Sequence, residues 1–93
     1  TGHHAMGGGQ LARRRWAEAQ ASGRIADVDY EVLDIHNGEL EPSVMVRKLV
    51  IERMRSFAAD LVLCHRANAY HPDHRSVGVL VKDAAYIVTV PHV

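Results

Sequence analysis

Apolar residues along this chain recur at helical spacing in some stretches and in short unbroken or alternating runs in others, so the pattern predicts a mixture of helices and strands. From Gln10 to about Ser22 the strong helix formers Leu, Ala, Arg, Glu and Gln run together. Leu11, Arg15 and Ala19 share one face of that helix, Ala12, Trp16 and Gln20 lie beside them, and Gly23 ends it. Val28, Tyr30, Val32 and Leu33 then form a β-favouring run to Ile35, closed by the turn residues Asn37 and Gly38. Pro42 and Ser43 suit a helix start, after which Val46, Leu49, Val50, Met54 and Phe57 return every third or fourth position among charged residues. Leu61, Val62, Leu63 and Cys64 are continuously apolar, as in a strand covered on both faces. A last helix is predicted from near Asp73 or His74, carrying Val77, Leu80, Val81, Ala84 and Ala85. Tyr86 to Val90 suits either a final helical turn or a short strand, and Pro91 stops both.

The resulting order, helix, strand, helix, strand, helix, contains one β-α-β unit and predicts an α/β fold with a small parallel sheet and three helices. Two parallel strands do not make a stable sheet, so neighbouring strands are expected from a second copy of the chain or to have been lost. Oligomerisation, with a homodimer as the commonest closed form, is the expected completion of the fold.

Composition narrows the class of protein. With 93 residues, 47% hydrophobic and 24% charged, residues 1–93 are expected to form one small domain, preceded by a Gly- and His-rich loop over residues 1–9. The 11 basic and 11 acidic side chains cancel, which removes the broad attraction to nucleic acid or anionic membrane surfaces; neither is an expected partner. The one basic run, Arg13, Arg14 and Arg15, is followed at helical spacing by Glu18 and is read as a solvated helix face. The chain has no apolar stretch of the roughly 18 residues that a spanning helix needs and no charged-then-apolar leader, so a cytoplasmic location is expected. A lone Cys64, which has no partner for an internal disulfide, agrees with a reducing compartment.

Candidate chemistry gathers between Cys64 and Arg75, where the second strand would end, and in open α/β sheets sites form beyond the carboxyl ends of strands. His71 and His74 flank Pro72 and Asp73. If a helix starts between them, the two imidazoles can converge on one point, and Asp73 can fix a ring by accepting a proton from its other nitrogen. On spacing alone the alternative stands equal: Asp73 as a helix N-cap beside two exposed loop histidines. Cys64 next to His65 invites a thiol-nucleophile reading, but neighbours on a strand face opposite sides, so a small buried cysteine is expected there. His3, His4, His36 and His92 are expected to face solvent.

The chain resembles the LmbE/PIG-L family of GlcNAc de-N-acetylase-like zinc hydrolases in the order and spacing of several segments. They are Glu31-Val32-Leu33-Asp34, Asn37-Gly38-Glu39-Leu40, the amphipathic helix, Ala59-Asp60-Leu61-Val62 and His71-Pro72-Asp73-His74. Gly2 to Gly9 with Arg14-Arg15-Trp16-Ala17-Glu18-Ala19 is similar to the loop and helix after the third strand of those enzymes, and Asp83-Ala84-Ala85-Tyr86 continues the likeness. On that reading Thr1 to Met6 belongs to the protein; a start at Met6 behind a foreign leader is the alternative. The resemblance implies a Rossmann-like three-layer fold, a divalent metal, usually zinc, and hydrolysis of an N-acetyl group from an amino-sugar conjugate. It assigns His74 as a zinc ligand, His71 as the imidazole that stabilises the oxyanion or protonates the leaving amine, Asp73 as the partner of His71, and Arg15 as a substrate contact.

The family takes its other two zinc ligands and its general base from a His-Pro-Asp-Asp motif, which these residues do not contain. A catalytic zinc needs about three protein ligands plus water. Two functions are therefore expected as alternatives. One is the C-terminal part of a zinc-dependent N-acetyl-sugar deacetylase, inactive alone and active when a complementing chain supplies the missing motif. The other is a non-catalytic, self-associating domain.

Overall fold

In a computed structural model of the protein, residues 2–93 are described. Thr1, which the sequence places in the opening loop, lies outside them. The described residues form helices α1 (Gly8–Ala26), α2 (Val44–Phe57) and α3 (Pro72–Ile87) and no strand. The expected α/β, Rossmann-like parallel sheet is thus corrected to an all-helical arrangement. The reason lies in what a strand requires: its backbone groups must pair with a neighbouring strand, and an apolar run does not supply one. In the first run the Ile35 N–H donates to Leu33 O, two residues back, at 2.9 Å, a tight turn rather than a ladder bond. The second run leaves Leu61 and Leu63 78% and 86% exposed, and Cys64 is likewise exposed rather than buried.

The chain divides into two compact units, Thr1–Asn37 and Gly38–Val93. In the first, α1 runs to Ala26, four residues past the end near Ser22 that Gly23 suggested. Gly23 is an interior, buried position, where a Cβ would lie 2.8 Å from Val28 O and 3.2 Å from Tyr30 Cβ. It is small because the returning chain packs on it, not because the helix ends there. The end comes at Asp27, which turns left-handed at φ 55°. Its N–H bonds Arg24 O and the next N–H, of Val28, bonds Gly23 O, a Schellman closure. Gln20 ties the return by donating to Tyr30 O at 2.8 Å. Leu11 is buried as its position on the helix face predicts, whereas Trp16 stays 57% exposed.

In the second unit α2 packs on α3. Ser43 caps α2 as expected, its Oγ accepting the Val46 N–H at 3.2 Å. The core comprises Val46, Ile51, Leu80 and Ala84, with Ala69 of the intervening loop. Phe57, on the predicted apolar face, lies at the helix end and is 61% exposed. Arg47 of α2 pairs with Asp83 of α3 at 3.2 Å. Arg55 reaches from α2 to the segment after α3, donating to Val88 O and Val90 O at 3.1 Å each and also to Val93 O. Tyr86 and Ile87 continue α3 and the chain then turns, so the ambiguous segment is helical rather than a strand. No helix among the described residues is long and apolar enough to cross a membrane.

The end of α2 repeats the Schellman closure with Ala58 in the left-handed region at φ 50°. An L-residue with a Cβ costs about 1–2 kcal/mol there, against which the extra unfolded-state freedom of glycine weighs about 0.4–1 kcal/mol. Ala58→Gly is therefore expected to raise stability by roughly 0.5–1 kcal/mol, read as a higher urea midpoint with unchanged slope.

Candidate functional site

The histidine loop takes its shape from the start of α3. Pro72 occupies the first helical turn, where its missing N–H costs nothing, and its fixed φ sets the helix direction. The cap is His71, not Asp73: the His71 ring Nδ1 accepts the Asp73 backbone N–H at 3.1 Å. This satisfies one of the otherwise orphaned amides of the helix start, a service usually given by Ser, Thr, Asp or Asn. Asp73 then lies in the first turn, where its negative charge suits the helix dipole.

The Asp73 carboxylate is engaged elsewhere. Its Oδ2 accepts the Gly38 N–H at 2.7 Å, while Oδ1 is buried without a hydrogen-bond partner among the described residues. The Gly38 N–H bond is the main cause that holds the Asp73 carboxyl below its ordinary range; burial opposes it, and the Leu40 N–H and the His71 ring add to the lowering. The link between Asp73 and His71 therefore runs through the Asp73 amide, and the carboxylate serves the turn at Gly38.

His74 sits one helical position further on, in a nest of rings. His65 stacks on it with ring centroids 4.1 Å apart and planes within 4°, and Tyr70 meets it edge-on at 5.3 Å. His71 lies beside it at 4.9 Å with a tilt of 30°, so the two expected site imidazoles are brought together. Arg75 fixes the loop by donating to Ala69 O and Tyr70 O at 3.0 Å each. His65 passes close behind α3 because Gly78 lets it: a Cβ at Gly78 would lie 2.7 Å from His65 O.

Burial, followed by the neighbouring His65 and His71, pushes the His74 imidazole below its ordinary pKa of 6.5, with Asp73 opposing. The fold thus favours neutral His74. A basic group whose folded pKa is depressed gives stability that is complete above the unfolded pKa and is lost as pH falls through the folded one. We therefore expect His74 to titrate below 6.5 and the unit to lose stability as pH is lowered from that value. Histidine side-chain NMR followed from neutral to acid pH checks both, the second through peaks of the unfolded chain.

Arg15 belongs to the first unit. It bonds Glu18 Oε2 at 2.7 Å and Gly2 O at 3.4 Å, while Arg14 takes Glu18 Oε1 at 2.8 Å. Both arginine hydrogen bonds lower the Glu18 carboxyl from its usual range, that of Arg14 first. Arg15 also lines a cavity of about 690 Å³ with Trp16, Ala12, Val32, Leu33 and Ile35.

Tyr70 is the member of the ring cluster that sequence reasoning did not single out, and His65 was weighed only beside Cys64. Their signal was the density of aromatic and imidazole residues between Cys64 and Arg75, which does not tell that the loop folds back on itself. Gly38 was read as a turn residue only.

Tested for a metal, the residues fall short. Among the described residues no group of three or more His, Cys, Asp or Glu side chains could hold a metal ion. The loop offers three imidazoles, of which His65 and His74 are stacked on each other and His71 already accepts through Nδ1, and a carboxylate bound to Gly38. A catalytic divalent site needs about three ligands and an open position, so no chemical step through a metal follows from these residues alone.

No curated protein and no solved structure matches the chain. The GlcNAc-PI de-N-acetylase family, PIG-L, matches residues 1–85, which covers the first unit, the second as far as residue 85, and the whole histidine loop. That family is generally metal-dependent and deacetylates an amino sugar. With the match running through nearly the whole sequence, the chain belongs to the GlcNAc-PI de-N-acetylase (PIG-L) family.

Proposed function

We propose that this chain is the C-terminal part of a zinc-dependent N-acetyl-sugar deacetylase and hydrolyses nothing on its own. The observation that carries the reading is the convergence of His71 and His74, 4.9 Å apart between ring centroids at the start of α3, inside the segment that matches the family. In this reading neutral His74 is one metal ligand, His71 donates to the developing oxyanion or the leaving amine, and Asp73 fixes the loop that carries both. Arg15 contacts the amino-sugar conjugate from α1. A complementing chain bearing the His-Pro-Asp-Asp motif supplies the remaining ligands and the base that activates water.

The test is an acetate-release assay on an N-acetylglucosamine conjugate with added zinc. The chain alone is expected to give no turnover above background, and the chain mixed with a His-Pro-Asp-Asp segment of the family is expected to give turnover that His74→Ala removes. Zinc-dependent turnover by the chain alone, lost in His74→Ala, would overturn the incomplete-site reading.

A second reading, a non-catalytic domain that works as a homodimer, is favoured by the apolar surface of the second unit. Leu61, Leu63 and Tyr70 are each more than three-quarters exposed. At roughly 25 cal/mol per Å², covering a few hundred Å² of such surface contributes several kcal/mol. Sedimentation at micromolar concentration separates the two: a monomer that binds zinc only with the complementing segment favours the first reading, and a zinc-indifferent dimer the second.

A further inference from the structure

The turn at Gly38 touches the histidine loop through one hydrogen bond, and that bond has a chemical consequence for His71. Gly38 holds φ +85°, a conformation that costs most L-residues energy, and there its N–H points at Asp73 Oδ2, 2.7 Å away. Two residues before Asp73, the His71 Nδ1 accepts the Asp73 amide at 3.1 Å. A nitrogen that accepts a hydrogen bond carries no proton, so a neutral His71 in this arrangement has its proton on Nε2.

The alternative arrangement is available to the same residues. A carboxylate beside an imidazole commonly accepts from Nδ1–H and so selects the opposite tautomer. Asp73 does not do so here because the Gly38 amide holds its Oδ2, and its own N–H fills Nδ1.

We infer that Gly38 is a positioning residue for His71: by retaining the Asp73 carboxylate at the turn, it keeps neutral His71 in the Nε2–H form. A proton on Nε2 makes that nitrogen a hydrogen-bond donor, the form needed to stabilise an oxyanion, and unsuited to taking a proton. This inference deepens the deacetylase reading and rests on it for the role of His71, but the tautomer itself does not depend on that reading.

The experiment is long-range proton–nitrogen NMR on the full chain with labelled histidine, without metal or substrate, above the titration range of its imidazoles. The wild-type chain is expected to show the protonated-nitrogen resonance of His71 at Nε2. Gly38→Val, a β-branched residue that resists positive φ, is expected to shift that resonance to Nδ1 as the freed carboxylate captures the ring. Gly38→Asn, which tolerates the left-handed region, is expected to retain the wild-type pattern. In the double variant Gly38→Val, Asp73→Ala the shift should vanish, because the capturing group is gone; a general disturbance of the loop would leave it in place. An Nδ1–H tautomer in the wild-type chain overturns the inference whether or not the variants fold. An Nε2–H tautomer unchanged in a folded Gly38→Val overturns the role of Gly38. Loss of activity in the complemented enzyme with the tautomer as expected would bear on the deacetylase reading alone.

Discussion

Gly78→Ala is expected to destabilise the second unit by about 2 kcal/mol and to open the ring cluster around His74. The added Cβ would stand 2.7 Å from His65 O, 2.9 Å from Ala67 N and 3.0 Å from the Arg66 carbonyl carbon. All of these are backbone atoms, so no flexible side chain can swing aside, and either α3 or the loop must move. Overpacking of a buried position costs about 1–3 kcal/mol, and contact with backbone on this scale puts the change at the upper end. Alanine returns about 1 kcal/mol of helix propensity, which does not offset it. For a unit of this size the melting temperature should fall by roughly 10 °C. Because His65 is carried by the displaced segment, its stack on His74 should loosen, and the His74 titration should move back up toward its ordinary value. Thermal unfolding and histidine NMR on the same variant check the two consequences together. A wild-type melting temperature would show that α3 and the 65–67 segment are not closely docked.

Leu80→Ala carries the larger penalty. Leu80 is 2% exposed on α3, the helix that packs on α2, in a core with few other large side chains. Truncating a buried leucine costs about 2–5 kcal/mol through lost transfer energy and the cavity left behind, and a value of about 3 kcal/mol is expected here. Domains of this size have only about 5–15 kcal/mol in total, so a change of that size removes a large part of the stability. Leu61→Ala is the matching control. That side chain is 78% exposed, and its loss should stay within about 0.5 kcal/mol. Denaturant unfolding of both variants should therefore separate two leucines that hydropathy alone makes equivalent.

That pair also shows where the sequence was legible. The periodicity of Val46 to Phe57 and the Ser43 cap located α2 within a residue or so, because a helix satisfies its own backbone and needs only one apolar stripe. Leu61 to Cys64 was read as a strand because an unbroken apolar run suits one, yet a strand exists only with a neighbour, and pairing is not a property of the run itself. Gly23 was read as a stop and Gly78 drew no reading; the role of both is close approach by another stretch of the chain, which spacing does not record. In the site, the spacing of His71 and His74 left convergence and a solvent-facing loop equal, and the helix was expected from Asp73 or His74; α3 starts at Pro72 and the two rings lie 4.9 Å apart. The cap by an imidazole was not foretold, since histidine is an uncommon capping residue. Nor was the Gly38 bond to Asp73, which joins positions 35 apart in sequence.

Arg55 gives the segment after α3 a behaviour that segments outside regular structure usually lack. Residues of that kind ordinarily open one at a time, each at little cost. Here a single guanidinium on α2 donates to the carbonyls of Val88, Val90 and Val93, so releasing any one of them leaves the fork held by the others. Detachment then becomes a concerted event rather than a progressive peeling, and the segment beyond α3 shares the opening kinetics of α2 instead of setting its own pace.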